Sequence, residues 1–242
     1  MTLNSHLLST AQIEAFYRDG FLVISDFFDP QLVDRWQLCW QQFRTRLVDG
    51  SDNRNDRFIY GLLPDPIATV YLNEHLSACM QQLLGPDIAL YFNRILLKDR
   101  ECNKGVECHQ DMPYFTGKPK ISAFIPLELF TKETGGLSFI VGSHKYGHVG
   151  QGTIIPEEFG ENTIVTPAVE PGGLIIMDFY TWHFSERSLI NNDRPVLQLA
   201  YQPATDGSYY GEKFGVPEPT LVCGKWLTNR FFSMGQGLIP QG

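Results

Sequence analysis

Two residues with the chemistry of metal ligands, His109 and Asp111, stand two positions apart in the segment ECHQDMPYF. In an extended backbone, residues i and i+2 project from the same face, so one imidazole and one carboxylate can reach a single cation. A third ligand from another strand would complete a set of two histidines and one carboxylate, which is typical of non-haem Fe(II) oxygenases. An HxD pair also arises by chance, and Asp111 could instead cap a loop or pair with Lys104 or Arg100.

A second segment with chemical potential, GGLIIMDFYTWHFSERSLINNDRP, lies further along the chain. We predict a strand that runs through Asp178 into His183, and Arg194 begins the next strand eleven residues later. The planar guanidinium group of an arginine suits a terminal carboxylate, which it binds with two parallel hydrogen bonds. That carboxylate would be the distal end of 2-oxoglutarate, with the hydroxyl of Ser185 as a further hydrogen-bond donor.

The elements that must hold these residues begin with helices. A capping-box pattern at Ser9 and Gln12 predicts a first helix, and Gly20 is typical of its end. Asp29, which precedes a proline, predicts the start of a second helix. A third helix is expected over residues 73–84.

Short β-rich runs separated by Gly, Pro, Asn and Asp turns dominate the rest of the chain. Together with an early run at 21–28, they are residues 88–97, 120–129, 137–144, 173–180 and 195–202. Helices followed by many short strands predict a mainly β fold, a jelly roll or barrel with flanking helices. We expect one domain over residues 1–242, with a mainly helical flank at 1–87, the β core at 88–205 and a C-terminal extension at 206–242.

The composition limits the classes of partner. A chain of 242 residues with 43% hydrophobic and 19% charged residues is typical of a folded globular protein. The net charge is −8 and no basic stripe stands out, so nucleic acid is not an expected partner. The five cysteines lack CxxC spacing and indicate free thiols in a reducing compartment. Neither a signal peptide nor a membrane-spanning apolar run is visible, so we expect no membrane partner and a cytoplasmic location.

The order of these motifs resembles the phytanoyl-CoA dioxygenase superfamily of Fe(II)/2-oxoglutarate enzymes. The resemblance covers nearly the whole chain. It begins with the segment STAQIEAFYRDGFLVISDFFDPQLVDRW and continues through RILLKD, ECHQDMPYF, GGLSFIVGSHKYGH and PGGLIIMDFYTWHFSERSLINNDRP. The family fold is a double-stranded β-helix, a cupin-like jelly roll, which agrees with the strand-rich second half.

The resemblance implies roles for individual residues. The implied iron ligands are His109, Asp111 and His183. Arg194 with Ser185 would anchor the cosubstrate. Three further positions line the cosubstrate pocket in the family, and here they are Arg94, Lys98 and Phe124.

Three aromatic residues flank the ligands directly and are candidates for contact with a substrate. They are Tyr114, Phe115 and Trp182. For each of them, an ordinary position in the core is an equally good interpretation.

The implied activity is hydroxylation or another oxidation of a C–H bond by O2 and 2-oxoglutarate, with Fe(II) as cofactor and release of succinate and CO2. The expected substrate is a small molecule such as an amino acid or a natural-product intermediate. Asp111 argues against halogenation, because related halogenases have a small residue at that position. Two alternatives stay open: a cosubstrate-free metal enzyme on the same barrel, such as a hydrolase or isomerase, and a non-catalytic binding module.

Overall fold

The computed structural model describes residues 7–48, 54–55, 58–59, 63–111, 118–148, 159–160, 163–211, 216 and 218–233. Two antiparallel sheets, with helices against the larger one, and a short parallel pair of strands make up the described part of the chain. The helices are α1 (Thr10–Asp19), α2 (Pro30–Val48) and α3 (Glu74–Leu84). Within the described ranges, no helix is long and apolar enough to cross a membrane.

The helix ends follow the signals in the sequence. The Ser9 hydroxyl accepts a hydrogen bond from the backbone N–H of Gln12 at 3.3 Å, and the side chain of Gln12 accepts from the backbone N–H of Ser9 at 2.9 Å. Gly20 ends α1 with φ at 86°, a left-handed conformation that favours glycine. The carboxylate of Asp29 accepts from the N–H of Gln31 at the start of α2. These three predictions of helix starts and ends are confirmed.

Fourteen strands complete the described structure. In chain order they are β1 (Phe21–Ile24), β2 (Arg54–Asn55), β3 (Phe58–Ile59), β4 (Ile88–Lys98), β5 (Val106–His109), β6 (Ile121–Pro126), β7 (Leu137–Ile140), β8 (Ile164–Val165), β9 (Leu174–Asp178), β10 (His183–Ser185), β11 (Arg194–Pro203), β12 (Ser208–Tyr209), β13 (Thr220–Cys223) and β14 (Phe232–Ser233).

The strands form a large sheet, a smaller sheet and a short pair. The large sheet has the order β1-β9-β6-β11-β4-β3-β2, with β13 also paired to β4. The smaller sheet has the order β5-β10-β7-β8, and β12 pairs with β14. The strands of the large sheet that carry the site pair antiparallel with neighbours distant in sequence. The predicted mainly β jelly roll with flanking helices is confirmed.

The hydrophobic core lies in two places around the large sheet. Helix side chains such as Trp36 and Leu76 pack with Ile125 on the outer face of that sheet. Between the two sheets, Phe21 of β1 stacks on Phe139 of β7 with ring centroids 4.6 Å apart. The interior between the sheets is therefore apolar, and polar side chains that enter it need partners.

Three predicted strand limits are wrong, each because a turn intervenes. The early strand ends at Ile24, and Asp26 turns with φ at 51°. The strand expected over 137–144 ends at Ile140, since Gly142 adopts φ of 75° before a 3-10 turn. No single strand runs through Asp178 into His183: β9 ends at Asp178, and β10 begins at His183 in the other sheet.

Candidate metal and cosubstrate site

The two histidines of the predicted triad face each other across the smaller sheet. The antiparallel register of β5 and β10 places His183 opposite His109, and their ring centroids are 4.3 Å apart. Nδ1 of His109 lies 2.7 Å from the carbonyl oxygen of Glu107. Nδ1 of His183 lies 2.9 Å from the carbonyl oxygen of Thr181. Because a carbonyl oxygen only accepts, both Nδ1 atoms carry the proton, and each Nε2 keeps a lone pair for a metal ion.

Asp111 is held in place by the large sheet. Its N–H donates to the carbonyl oxygen of Phe179 at 3.2 Å. Its Oδ2 accepts from the hydroxyl of Ser122 at 3.1 Å and from Nε2 of Gln198 at 3.4 Å. The other oxygen, Oδ1, lies 3.7 Å from Nε2 of His183. The carboxylate is thus oriented by one oxygen and presents the second to the histidines.

The donor set fits a divalent cation. One ligand atom from each of His109, Asp111 and His183 lies within 4.8 Å of the others. Burial, with a smaller contribution from His109, lowers the pKa of His183 to about 4, so this imidazole is neutral at pH 7. Two lone pairs, on Nε2 of His183 and Oδ1 of Asp111, therefore face each other and repel unless a cation lies between them. Two imidazoles and one carboxylate are the donors that non-haem Fe(II) uses.

Arg194 forms a second charged position in the interior. It is 4% exposed, its Nε donates to the carbonyl oxygen of Thr134 at 2.7 Å, and its Nη2 donates to that of Gly135 at 3.0 Å. Nη1 is buried and has no hydrogen-bond partner within the described part of the chain. Burial lowers the pKa of the guanidinium to about 10, which leaves it positively charged at pH 7. A buried cation with unpaired donors is costly unless an anion binds it, and a carboxylate fits that need.

Lys98 and Ser185 lie beside this arginine. The register of β4 and β11 places Lys98 opposite Arg194, and Nζ of Lys98 donates to the hydroxyl oxygen of Ser185 at 2.9 Å. Gly135 adopts φ of 73°, and a Cβ atom there would lie 2.7 Å from Nζ of Lys98. A glycine is therefore required for the turn to approach the lysine. Three residues that the sequence predicted to share a pocket are neighbours in space.

One cavity between the sheets connects the two positions. It is lined by the three metal-ligand candidates together with Arg194, Lys98 and Ser185. Phe124, which is 1% exposed, and Arg94 also line it. Nε of Arg94 donates to Oε1 of Gln198 at 2.7 Å, so Arg94 lies at the metal end of the cavity.

Of the three predicted substrate residues, only Trp182 belongs to the described part of the chain. Tyr114 and Phe115 lie outside the described residues. Trp182 is fully buried and is not among the residues that line the cavity. Its neighbour His183 points into the cavity, and successive side chains of a strand point to opposite faces.

Sequence reasoning missed several residues of this site. Ser122 and Gln198 orient Asp111, and each is a buried polar residue inside an otherwise apolar strand, in KISAFIPL and PVLQLAYQ. That interruption was a usable signal, because a polar side chain inside a sheet must find a partner. Phe130, whose ring lies 4.9 Å from the guanidinium carbon of Arg194, left no comparable signal in the sequence.

A sequence model described as phytanoyl-CoA dioxygenase (PhyH) matches residues 16–195 of the chain. Among curated protein sequences, none is a significant match.

Solved structures share the fold at low sequence identity. EctD from S. alaskensis, in its apoform, superposes with a TM-score of 0.69 at 23% identity, over 90% of this chain and 85% of that one. The epimerase SnoN, in complex with Fe3+, alpha ketoglutarate and nogalamycin RO, superposes with a TM-score of 0.67 at 18% identity, over 81% of this chain and 83% of that one. HygX from Streptomyces hygroscopicus, with nickel and 2-oxoglutarate bound, superposes with a TM-score of 0.64 at 20% identity, over 81% of this chain and 87% of that one. These likenesses support the same double-stranded β-helix for this chain.

Proposed function

Because this chain belongs to the phytanoyl-CoA dioxygenase family, we propose that it hydroxylates or otherwise oxidises a C–H bond of a small molecule. Family membership confirms the predicted enzyme class, a non-haem iron- and 2-oxoglutarate-dependent dioxygenase, and with it the predicted cofactors. The finer proposal depends chiefly on one observation: a cation-binding donor set and a buried arginine line the same cavity.

In this proposal one end of the cavity binds the iron and the other end binds the distal carboxylate of 2-oxoglutarate. His109, Asp111 and His183 hold the iron through two Nε2 atoms and one carboxylate oxygen. Arg194 binds the distal carboxylate of 2-oxoglutarate through Nη1, and Lys98 adds a second positive charge beside it. The hydroxyl of Ser185 accepts from Lys98 and is therefore able to turn its own proton towards the cosubstrate.

The protein contributes position and the exclusion of water. When bound, iron and 2-oxoglutarate supply the oxidising chemistry, with succinate and CO2 as products. Apolar side chains, among them Phe124, Phe130 and Leu137, line the cavity and limit the access of water to it. The two carbonyl oxygens that hold Arg194 fix its guanidinium before the cosubstrate arrives, so little ordering is needed on binding.

A small-molecule substrate is supported by what the structural neighbours act on. SnoN and SnoK are described as an epimerase and a carbocyclase of nogalamycin biosynthesis. SnoN has also been crystallised with a nogalamycin compound. By analogy we propose a natural-product intermediate or an amino acid as the substrate of this chain.

The arginine anchor makes a direct test of the proposal. We expect Arg194→Ala to weaken 2-oxoglutarate binding by about 2–5 kcal/mol, the usual cost of removing one partner from a buried charged pair. This corresponds to a rise of about 30-fold or more in the dissociation constant. Anaerobic calorimetry, in which 2-oxoglutarate is titrated into the Fe(II) protein, measures this dissociation constant.

The matched control is Arg187→Ala, an exposed arginine between Ser185 and Arg194 in sequence. Its dissociation constant for 2-oxoglutarate should match that of the unmodified protein. Equal affinity in both variants would rule out Arg194 as the anchor.

A further inference from the structure

A buried network of polar side chains has no task in the function proposed above. Lys120, directly before β6, is 1% exposed, and its Nζ donates to Oδ2 of Asp206 at 2.6 Å. The same ammonium donates to the side-chain oxygen of Gln202 and, at 3.2 Å, to the hydroxyl oxygen of Ser208. Oδ1 of Asp206 accepts from the backbone N–H of Ser208 at 3.0 Å, so both oxygens of this carboxylate are hydrogen-bonded. None of these four residues is among the described residues that line the cavity.

Stability alone is a poor explanation for this buried ion pair. The loss of hydration of two charges offsets much of their attraction, so apolar side chains of the same volume often stabilise a protein equally well. Charged hydrogen bonds are short and directional, however, and they fix the geometry of the groups that they join. Here they join the start of β6 to the segment that follows β11, and 86 positions separate Lys120 from Asp206.

Two backbone hydrogen bonds lead from Lys120 to the metal-ligand candidate Asp111. The carbonyl oxygen of Lys120 accepts from the N–H of Phe179 at 3.2 Å. The carbonyl oxygen of Phe179 in turn accepts from the N–H of Asp111 at 3.2 Å. Phe179 lies between the two residues, so the position of the Asp111 backbone depends on that of Lys120.

The ring of Tyr91 makes a second connection between the ion pair and Phe179. Nζ of Lys120 lies 4.3 Å from the centroid of this ring, which is a cation–π contact. The ring centroids of Tyr91 and Phe179 are 6.2 Å apart. Burial raises the pKa of the Tyr91 phenol, and the carboxylates of Asp206 and Asp111 both add to this shift, so the ring is within electrostatic reach of each. The ion pair therefore reaches Phe179 through a side chain as well as through the backbone.

From these two connections we infer that Lys120 and Asp206 are positioning residues for the metal site. Their ion pair fixes the start of β6, which holds Phe179, and Phe179 sets the place of the Asp111 carboxylate. The inference goes beyond the proposed function, because it makes metal affinity depend on the segment that follows β11. It rests on the assignment of Asp111 as an iron ligand.

The test separates the geometry of the pair from its contribution to stability. Lys120→Met removes the ammonium that the buried carboxylate of Asp206 binds, so we expect a less stable protein. Lys120→Met/Asp206→Leu removes both charges and fills the space with apolar groups, so its denaturation midpoint should return close to that of the unmodified protein. We expect both variants to bind Fe(II) about tenfold more weakly, as for other residues that orient a metal ligand. Anaerobic calorimetry measures this affinity.

A spectroscopic measurement reports on the ligand geometry itself. Co(II) replaces Fe(II), and its visible d–d bands depend on the number and arrangement of the ligands. We expect these bands to change in position and intensity in the double variant, because the Asp111 carboxylate is displaced. The control is Ile67→Val, which shortens a fully buried side chain in the core that packs against the helices. It should lower stability but leave the Fe(II) affinity and the Co(II) bands unchanged.

Several results would overturn the inference. A stable double variant with the Fe(II) affinity and Co(II) bands of the unmodified protein would limit the pair to holding the segment after β11. Equal losses of Fe(II) affinity in Ile67→Val and in the Lys120 variants would make the effect one of stability alone.

A milder substitution serves if the double variant does not fold. Ser208→Ala removes one hydroxyl contact of Lys120 and should measurably weaken Fe(II) binding. An Fe(II) affinity equal to that of Ile67→Val would then contradict the inference. If the unmodified protein bound no Fe(II), the assignment of Asp111 and the proposed function would fail, and this inference with them.

Discussion

At the scale of the residue, hydrogen bonds to the far side of each ligand decide which atoms are available to a metal. Carbonyl oxygens of Glu107 and Thr181 fix the tautomer of the two histidines. The carboxylate of Asp111 is oriented by Ser122 and Gln198 from the neighbouring strands β6 and β11. All four partners orient a ligand, and the carbonyl oxygens also raise the basicity of the imidazoles, so they belong to the metal site although they touch no metal.

One substitution tests that role of the partners. We expect Ser122→Ala to lower the affinity for Fe(II) about tenfold, because Oδ2 of Asp111 keeps only the long hydrogen bond from Gln198. Anaerobic calorimetry with Fe(II) measures the affinity. The matched control is Ser138→Ala, a buried serine whose hydroxyl bonds to Thr166 at 2.6 Å, away from the ligands. Indistinguishable Fe(II) affinities in the two variants would contradict the role given to Ser122.

At the scale of the element, β4 and β11 carry the proposed cosubstrate end of the site, and helix α2 holds the ends of both strands. Nε of Arg44 on α2 donates to the carboxylate of Asp193 at 2.6 Å, and its Nη2 donates to that of Asp99 at 3.1 Å. Asp99 directly follows Lys98, and Asp193 directly precedes Arg194. Asp99 is 2% exposed and also accepts from the N–H groups of Glu101 and Cys102. The helix thus fixes the two strand ends from which Lys98 and Arg194, the proposed cosubstrate-binding residues, project.

Removal of this contact should loosen both strand ends. We expect Arg44→Met to reduce the free energy of unfolding by about 1.5–3 kcal/mol, the usual contribution of a hydrogen bond to a charged group. It should also weaken 2-oxoglutarate binding several-fold, because Lys98 and Arg194 lose their fixed spacing. Denaturant titration and calorimetry measure the two effects.

Arg35→Met on the same helix is the control, since Arg35 is exposed. It should change the free energy of unfolding by less than about 0.5 kcal/mol. A loss of stability in Arg44→Met without any loss of cosubstrate affinity would limit α2 to a purely structural role.

At the scale of the whole molecule, local signals in the sequence predicted much of the fold, whereas contacts between distant strands escaped prediction. The capping box at Ser9 and the end of α1 at Gly20 depend on residues within one turn, and the sequence contains all of them. A buried ion pair, by contrast, joins Lys120 to Asp206 at 2.6 Å across 86 positions, and no local pattern links the two. The register that sets His183 opposite His109 is non-local in the same way.

The resemblance to a family supplied what local patterns did not. It grouped His183 with His109 and Asp111, and it added Lys98 and Phe124 to the pocket already expected around Arg194 and Ser185. It carried no information on Ser122 or Arg44, whose contacts depend on how this chain packs its own strands and helix. Hydrophobic periodicity predicts elements, and the side chains that orient a site are decided by tertiary packing.

An anaerobic titration of the apoprotein with Fe(II) and then with 2-oxoglutarate is the most direct test of the site between the sheets. We predict the weak visible metal-to-ligand charge-transfer band of the iron-bound keto acid in the unmodified protein, and its loss in His109→Ala and His183→Ala. The band would show that metal and cosubstrate meet in that cavity. Fe(II) binding without the band would contradict the proposed function and favour a metal enzyme that uses no 2-oxoglutarate.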